Sequence, residues 1–301
     1  MIESMRLSAC ICLLLFASLG CDSLSSGEFE PEYVVEAYLE AGKPLSSVRV
    51  SQTISVGETY TVEEVAVFDA EVRVHLLDEG GAVESIYRYG RSREVGVFQP
   101  ADATAEVLPL RTYELIVEIP NVPHVITSRT TVPADLRVVY TNADTVVFQT
   151  QPQFTFHLSR PFYPGRQSIF VLSTFSTGDV DQLTPFARGL FDTGDVTLQD
   201  LRQRASPILN EENFEHLPNG ELRVEFPWLA VYFFGSNEVR VQAVDENLHD
   251  FLRSQMVQQG GSTLPPGEIP NVLEHVEGGN GVFGSYSSAS AVVFVERNDG
   301  L

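Results

Sequence analysis

From Tyr33 onward, apolar side chains recur at every second position. In "AEVRVHLL", Val72, Val74 and Leu76 alternate with Arg73 and His75. A period of two puts one set of side chains on one face of a strand and the other set on the opposite face, whereas a helix needs a period near 3.6. The same alternation, rich in Val, Ile, Tyr and Thr, runs through "YVVEAYLE", "SSVRVSQTI", "ESIYRYG", "TYELIVEI" and "HVITSRTTV". Turn-forming clusters such as "EAGKP", "DEGG" and "IPNVP" separate these runs. Short half-buried strands with no strong helix between them predict a β-sandwich over residues 32–135.

Residues 136–301 change in texture. "DTVVFQTQPQFTFHLS", "QSIFVLSTFS" and "NEVRVQAV" predict further strands. "DTGDVTLQDLRQRASPIL" predicts a short helix capped by Asp195 or Thr197 and limited by Pro207. A second helix should start after Asp245, with Leu248, Phe251, Leu252 and Met256 as its apolar stripe and Gly260 past its end. The region therefore reads as a β-rich α+β unit with about two helices. "VFGSYSSASAVVFVE" predicts the last strand.

All three cysteines, Cys10, Cys12 and Cys21, lie in the first 21 residues. "LSACICLLLFASLGCD" has the apolar run and small residues of a secretory signal, and is too short for a membrane-spanning helix. A start at Met5 rather than Met1 would give a cleaner leader. The ending Ser18-Leu19-Gly20-Cys21 resembles a bacterial lipobox, with Leu one place later than usual. Cleavage before Cys21 would leave one cysteine in the mature chain, and acylation would account for it; the alternative is an ordinary signal with a chance cysteine. Residues 1–20 are thus expected to be a signal peptide, and the small, acidic residues 21–31 a lipidated tether.

With 19 basic and 41 acidic residues the formal charge is −22. Phosphates would be repelled, so nucleic acid and bare anionic membrane surfaces are poor partners. Lys43 is the only lysine, a bias that suits either a salt-rich habitat or a GC-rich genome.

Catalytic signatures are missing: there is no G-x-S-x-G, H-E-x-x-H or P-loop, and no mature cysteine beyond Cys21 for a thiol nucleophile or a Cys-ligated zinc. Gly279, Gly281 and Gly284 in "EGGNGVFGS" spell G-x-G-x-x-G. That pattern cradles a pyrophosphate only between a strand and a helix, and only 17 residues, reading as strand, follow Gly284. A glycine-rich loop before the last strand is the better reading, and no cofactor is expected. His75, His124, His157, His216, His249 and His275 show no ligand spacing. Asp179, Asp181, Asp192 and Asp195 offer oxygen ligands for calcium but not at EF-hand spacing; a solvated loop is the other reading. "FPWLAVYFF" is expected to be a strand, with an edge or a bulge at Pro227 and aromatics on both faces, either central and doubly buried or an aromatic platform in which Trp228 and Tyr232 meet a sugar or a protein partner.

Several stretches resemble a family of uncharacterised bacterial outer-membrane lipoproteins, defined only as a domain of unknown function. A "lVVeGyl"-like opening strand is matched by "YVVEAYLE", and "v.gA.V.l.d..G" by "VFDAEVRVHLLDEGG". "G.tY.L.V..p" is matched by "LRTYELIVEIP", with Leu110-Arg111 where a glycine is usual, and "a.t.vP" by "TSRTTVP". "nI.gGlGvFgs" is matched by "HVEGGNGVFGS" and is the most specific. The resemblance implies a lipid anchor on Cys21, a place at the outer membrane and no catalytic residues to carry over. It also implies an accessory role beside TonB-dependent receptors.

The expected protein is mainly β: an immunoglobulin-like N-terminal β-sandwich, then a β-rich C-terminal domain at 136–301. Non-enzymatic binding or assembly beside an outer-membrane receptor is the expected function. A stand-alone carbohydrate- or peptide-binding surface protein and a hydrolase with a dispersed acidic site are the alternatives.

Overall fold

The computed structural model describes residues 29–55, 57–256, 273, 275–298 and 300. The expected signal segment, Cys21 and the tether as far as residue 28 lie outside the described residues. In chain order the strands of the first part are β1 (Tyr33–Glu40), β2 (Val48–Gln52), β3 (Glu71–Leu77), β4 (Val83–Arg91), β5 (Val97–Pro100), β6 (Thr112–Glu118) and β7 (Ile126–Thr131), with one turn of helix, α1 (Val62–Val65), before β3. Then follow β8 (Val138–Thr141), β9 (Thr145–Val147), β10 (Thr155–Leu158), β11 (Ile169–Ser176), α2 (Pro185–Asp192), α3 (Leu198–Arg202), β12 (Gln203–Ala205), β13 (Leu209–Asn210), β14 (Glu215–His216) and β15 (Leu222–Glu225). The last elements are β16 (Gly235–Val244), α4 (Glu246–Met256), β17 (Val276–Glu277) and β18 (Asn280–Glu296). The protein is mainly β, as the alternation predicts.

One continuous hydrogen-bonded path runs β12-β11-β16-β18-β1-β2-β5-β4-β3-β6-β7-β17. β4 turns the corner within it. Its first part pairs with β3 and its last residues, Tyr89–Arg91, with β5. A strand that changes partners along its length folds a sheet over itself. The layer β1-β2-β5 therefore faces the layer β3-β6-β7 as a sandwich. Val35, Leu39, Val50 and Phe98 meet Val74, Tyr113, Leu115 and Val117, each at most 2% exposed. Each such side chain contributes about 1.5–3 kcal/mol by burial. At the start of β6 the buried Tyr113 hydroxyl accepts from the Leu108 N–H at 2.8 Å, the bracing of immunoglobulin-like sandwiches known as a tyrosine corner.

A second sandwich forms where β11, β16 and the far half of β18 lie on the separate sheet β14-β15-β10-β8. Phe170, Val239, Val241 and Val293 pack there with Phe156, Leu158, Leu222 and Val224. The two sandwiches share β18. It runs parallel to β1 over Asn280–Tyr286 and antiparallel to β16 over Tyr286–Val295. Phe283 is part of the first core, Val293 and Val295 of the second. The expected boundary near residue 135 falls between β7 and β8 along the chain, while in space β17 and β18 return to the first sandwich.

The glycine stretch departs from expectation. Gly278 and Gly279 make the turn, but Gly281 lies inside β18 rather than in a loop before it, as does Gly284, which falls within the stretch read as the last strand. Both are required by close approach. A Cβ on Gly281, whose φ is +109°, would strike the carbonyl oxygen of Val35 on β1; one on Gly284 would strike Leu248 of α4. The helices differ too. Thr197 caps α3 in a reciprocal box with Asp200, and the described residues of the C-terminal part hold three α-helices where about two are expected. The additional one, α2, begins Thr184-Pro185, a cap followed by proline in the first turn.

Candidate functional site

The mouth of the second sandwich is open between its short edge strands β12 and β14, and the opening is a groove of about 710 Å³. One wall is built by the run from α3 into β12. The helix stops at Arg202, the next three residues pair with β11, and Thr174 stands opposite Arg204. The Leu172 N–H donates to Ser206 Oγ at 3.0 Å and fixes the end of that wall. The facing wall comes from Phe214, Glu215 and Arg223–Phe226.

Residues 227–232 close the groove, and here the structure corrects the sequence reading. "FPWLAVYFF" is not a continuous strand: Trp228–Ala230 form a 3-10 turn after Pro227. The turn separates the two aromatics expected to act together. Trp228 packs its indole against the second core, edge-on to Phe148 at 5.5 Å, and does not line the groove. Leu229 is thrown outward, 68% exposed. Tyr232 does line the groove, with the Arg204 guanidinium carbon 5.6 Å from its ring centre. Its backbone is held from α2: the Thr184 N–H donates to Tyr232 O at 3.0 Å and Thr184 Oγ1 to Val231 O at 2.9 Å.

The two groove arginines differ. Arg223 is taken by Glu215 and Glu225, each at 3.0 Å. The Arg204 side chain makes no hydrogen bond or ion pair to any described residue, although it helps, after Thr197, to hold the Asp200 carboxyl below its usual range. The groove floor is apolar, with Leu172, Leu209, Phe214, Val224, Phe226 and Leu229 among its lining. No feature of composition pointed to Arg204; its signal lies in three-dimensional proximity to Tyr232.

Two other constellations emerge. Asp250 accepts contacts from two histidines, His249 Nδ1 at 3.0 Å and His275 Nε2 at 2.8 Å, which the sequence spacing had kept apart. Asp245 is buried against three segments: the Leu248 N–H donates to Oδ1 at 2.9 Å, Thr130 Oγ1 to Oδ2 at 2.5 Å, and its own N–H to Ser285 O at 2.9 Å. Burial pushes its carboxyl up to about 6, against the hydrogen bonds the carboxylate accepts from the Thr130 hydroxyl and from the backbone of Leu248, Ser285 and Asn247, which pull it down. The other histidines sit beside single carboxylates, His75 by Glu114 at 3.7 Å and His157 by Glu221 at 3.4 Å, with His216 4.0 Å from Glu211, while His124 borders a surface hollow. Of the calcium candidates, Asp179 is bridged to Arg202 at 2.7 Å. Among the described residues no cluster of three or more His, Cys, Asp or Glu has a metal-holding arrangement. No helix among them is long and apolar enough to cross a membrane.

The family profile described as a domain of unknown function (DUF4249) matches residues 22–291. The chain belongs to this family. The match takes in both sandwiches, the groove and most of β18. Comparison with curated proteins gives no match. Among solved structures, a Salmonella alpha-2-macroglobulin reacted with methylamine aligns with 88% of this chain at 10% identity and a TM-score of 0.24. A tetra-tandem repeat from the extending region of a large adhesion protein aligns with 88% at 9% identity and 0.22, and the titin I-band fragment I67–I69 with 89% at 8% and 0.20. The chain spans 15% of the macroglobulin, 49% of the adhesion fragment and 65% of the titin fragment. TM-scores this low do not mark a common fold, and no function is carried over from these proteins.

Proposed function

We propose that this family member is a cell-envelope lipoprotein that works by binding rather than catalysis, as an accessory of an outer-membrane TonB-dependent receptor, and that the groove beside Tyr232 is where it engages its ligand or partner. The observation that carries the reading is the open groove in which the Arg204 guanidinium, beside the Tyr232 ring, makes no hydrogen bond or ion pair among the described residues. Grooves of a few hundred Å³, apolar with few polar groups, are the usual form of a binding site. The anchor would be Cys21, the residue immediately before the family match begins. Seven residues lie between it and Phe29, so eight extended Cα–Cα steps would hold the described fold within about 28 Å of the lipid.

The test is a mild cross-link and pull-down of the lipidated protein from solubilised membranes, read by mass spectrometry. Co-purification of a TonB-type receptor or another outer-membrane barrel, weakened by Leu229→Asp at the groove, is the expected result. A protein that comes down alone overturns the accessory role. Stand-alone ligand binding at the surface is the second reading. Trp228 stands outside the groove lining, packed edge-on to Phe148, so within the groove that reading rests on Tyr232 and Arg204.

A further inference from the structure

Arg204 is a cation held half-buried in an apolar groove, in a chain whose formal charge is −22. A guanidinium presents five N–H donors in a fixed fork, and a buried or half-buried one is expected to meet a planar acceptor. Among the described residues it meets none: no carboxylate lies within 4.0 Å and no hydrogen bond is made. Tyr232 contributes its ring, 5.6 Å from the guanidinium carbon, which steadies the group without using its donors. We propose that the groove binds a monocarboxylate with an apolar body, its carboxylate seated on Arg204 and its body against Leu172, Phe214 and Phe226 with Leu229 at the rim. The assignment rests on reading the groove as the binding site.

The facing wall sets the charge of the ligand. Glu215 and Glu225 together outnumber Arg223, so that wall carries one carboxylate in excess. A second anionic group on the ligand would be repelled there, which selects a monoanion over a phosphate dianion or a dicarboxylate. A neutral sugar could accept hydrogen bonds from Arg204 through its hydroxyls but would leave the guanidinium charge without a counter-charge. The carboxylate of a free fatty or aryl-alkyl acid and the C-terminal carboxylate of an apolar peptide share this chemistry.

Trp228, the only tryptophan, gives a direct readout because its neighbours Pro227 and Leu229 both line the groove. The full-length protein in detergent is titrated with 4-phenylbutyrate, with 4-phenylbutan-1-ol, and with acetyl-Ala-Val-Phe as free acid and as amide. The acids are expected to bind at least about tenfold tighter than the alcohol or amide, the size of a charge-assisted bidentate contact. Arg204→Gln removes that discrimination, Arg204→Lys keeps part of it, and Leu229→Ala weakens acid and alcohol alike. The free-acid arm that binds more tightly tells a small acid from a peptide terminus. Equal binding of acids and neutral analogues overturns the carboxylate assignment and leaves the groove as an apolar site. Failure of all four probes overturns both the ligand class and the groove, whereas the receptor pull-down decides the accessory role on its own.

Discussion

Thr130 of β7 and Asp245, 115 residues apart, are joined by a hydrogen bond of 2.5 Å from the threonine hydroxyl to a carboxylate that also caps helix α4. Ser285 of β18 lies against the same hydroxyl at 2.6 Å, and Asn247 donates to Arg129 O and Phe283 O, both at 2.7 Å. A strand of the first sandwich, the shared last strand and the last helix thus meet at one buried acid.

That acid should make stability depend on pH. Burial raises its folded-state value to about 6, above the 3.8 of an unhindered carboxyl. The folded state therefore holds the proton more tightly than the unfolded one. The sign follows: this group's contribution is fully present below about pH 4 and is lost as pH rises through about 6. The loss is on the order of 3 kcal/mol at neutral pH. Tyr163, itself pushed up to about 12 chiefly by burial, lies close by, accepting from the Glu246 N–H, with Arg166 over its ring. Urea unfolding of wild type and Asp245→Asn at pH 4, 5, 6 and 7 should give a difference curve that moves in the variant's favour across this window; a flat difference would refute the assignment.

Gly284→Ala should destabilise the fold by about 1–3 kcal/mol, because its Cβ would overlap Leu248 of α4 in a packed site. Thermal unfolding measures the cost. Adding Leu248→Ala should recover part of it, so that the double variant is less damaged than the sum of the two single ones.

Leu110 has φ +61°, in the left-handed region that a branched side chain tolerates poorly, and its side chain is 45% exposed. It occupies the position at which the family resemblance expects glycine. Leu110→Gly should stabilise the protein by up to about 1 kcal/mol, relief of strain exceeding the entropy of the unfolded glycine. A lower unfolding midpoint would show that the Leu110 side chain contributes packing that outweighs the strain.

Cys21→Ala should release the protein from the membrane fraction into the soluble fraction of the cell envelope, as fractionation and immunoblotting would show. Retention in the membrane with the variant would remove the lipid anchor from the proposed function.

Legibility from the sequence followed the physics of each element. β1, β3 and β6 could be read because a strand with one face in a core must alternate, and Val72, Val74 and Leu76 do so against Arg73 and His75. Asp245 as a helix cap was equally local. Gly281 and Gly284 were not legible in the same way, since their meaning lies in Val35 and Leu248, which approach from other segments. The turn at Trp228 was hidden because "PWLAVYFF" satisfies strand composition while Pro227 starts a 3-10 turn. The groove was least visible of all. Arg204 and Tyr232 come from separate stretches, and only the pairing of β12 with β11 and the hold of Thr184 on Tyr232 bring them face to face.

Because β18 supplies Phe283 to one core and Val293 to the other, neither half of the molecule reaches its final form from its own stretch of chain. A ribosome delivers β1 roughly 245 residues before its parallel neighbour, so the Val34–Asn280 register can close only once Asn280 has emerged. Contacts this distant along the chain are slow to form, and until then the edge of β1 stays open. The shared strand thus makes the two cores depend on one another, so that a change in the middle of β18 should be felt in both.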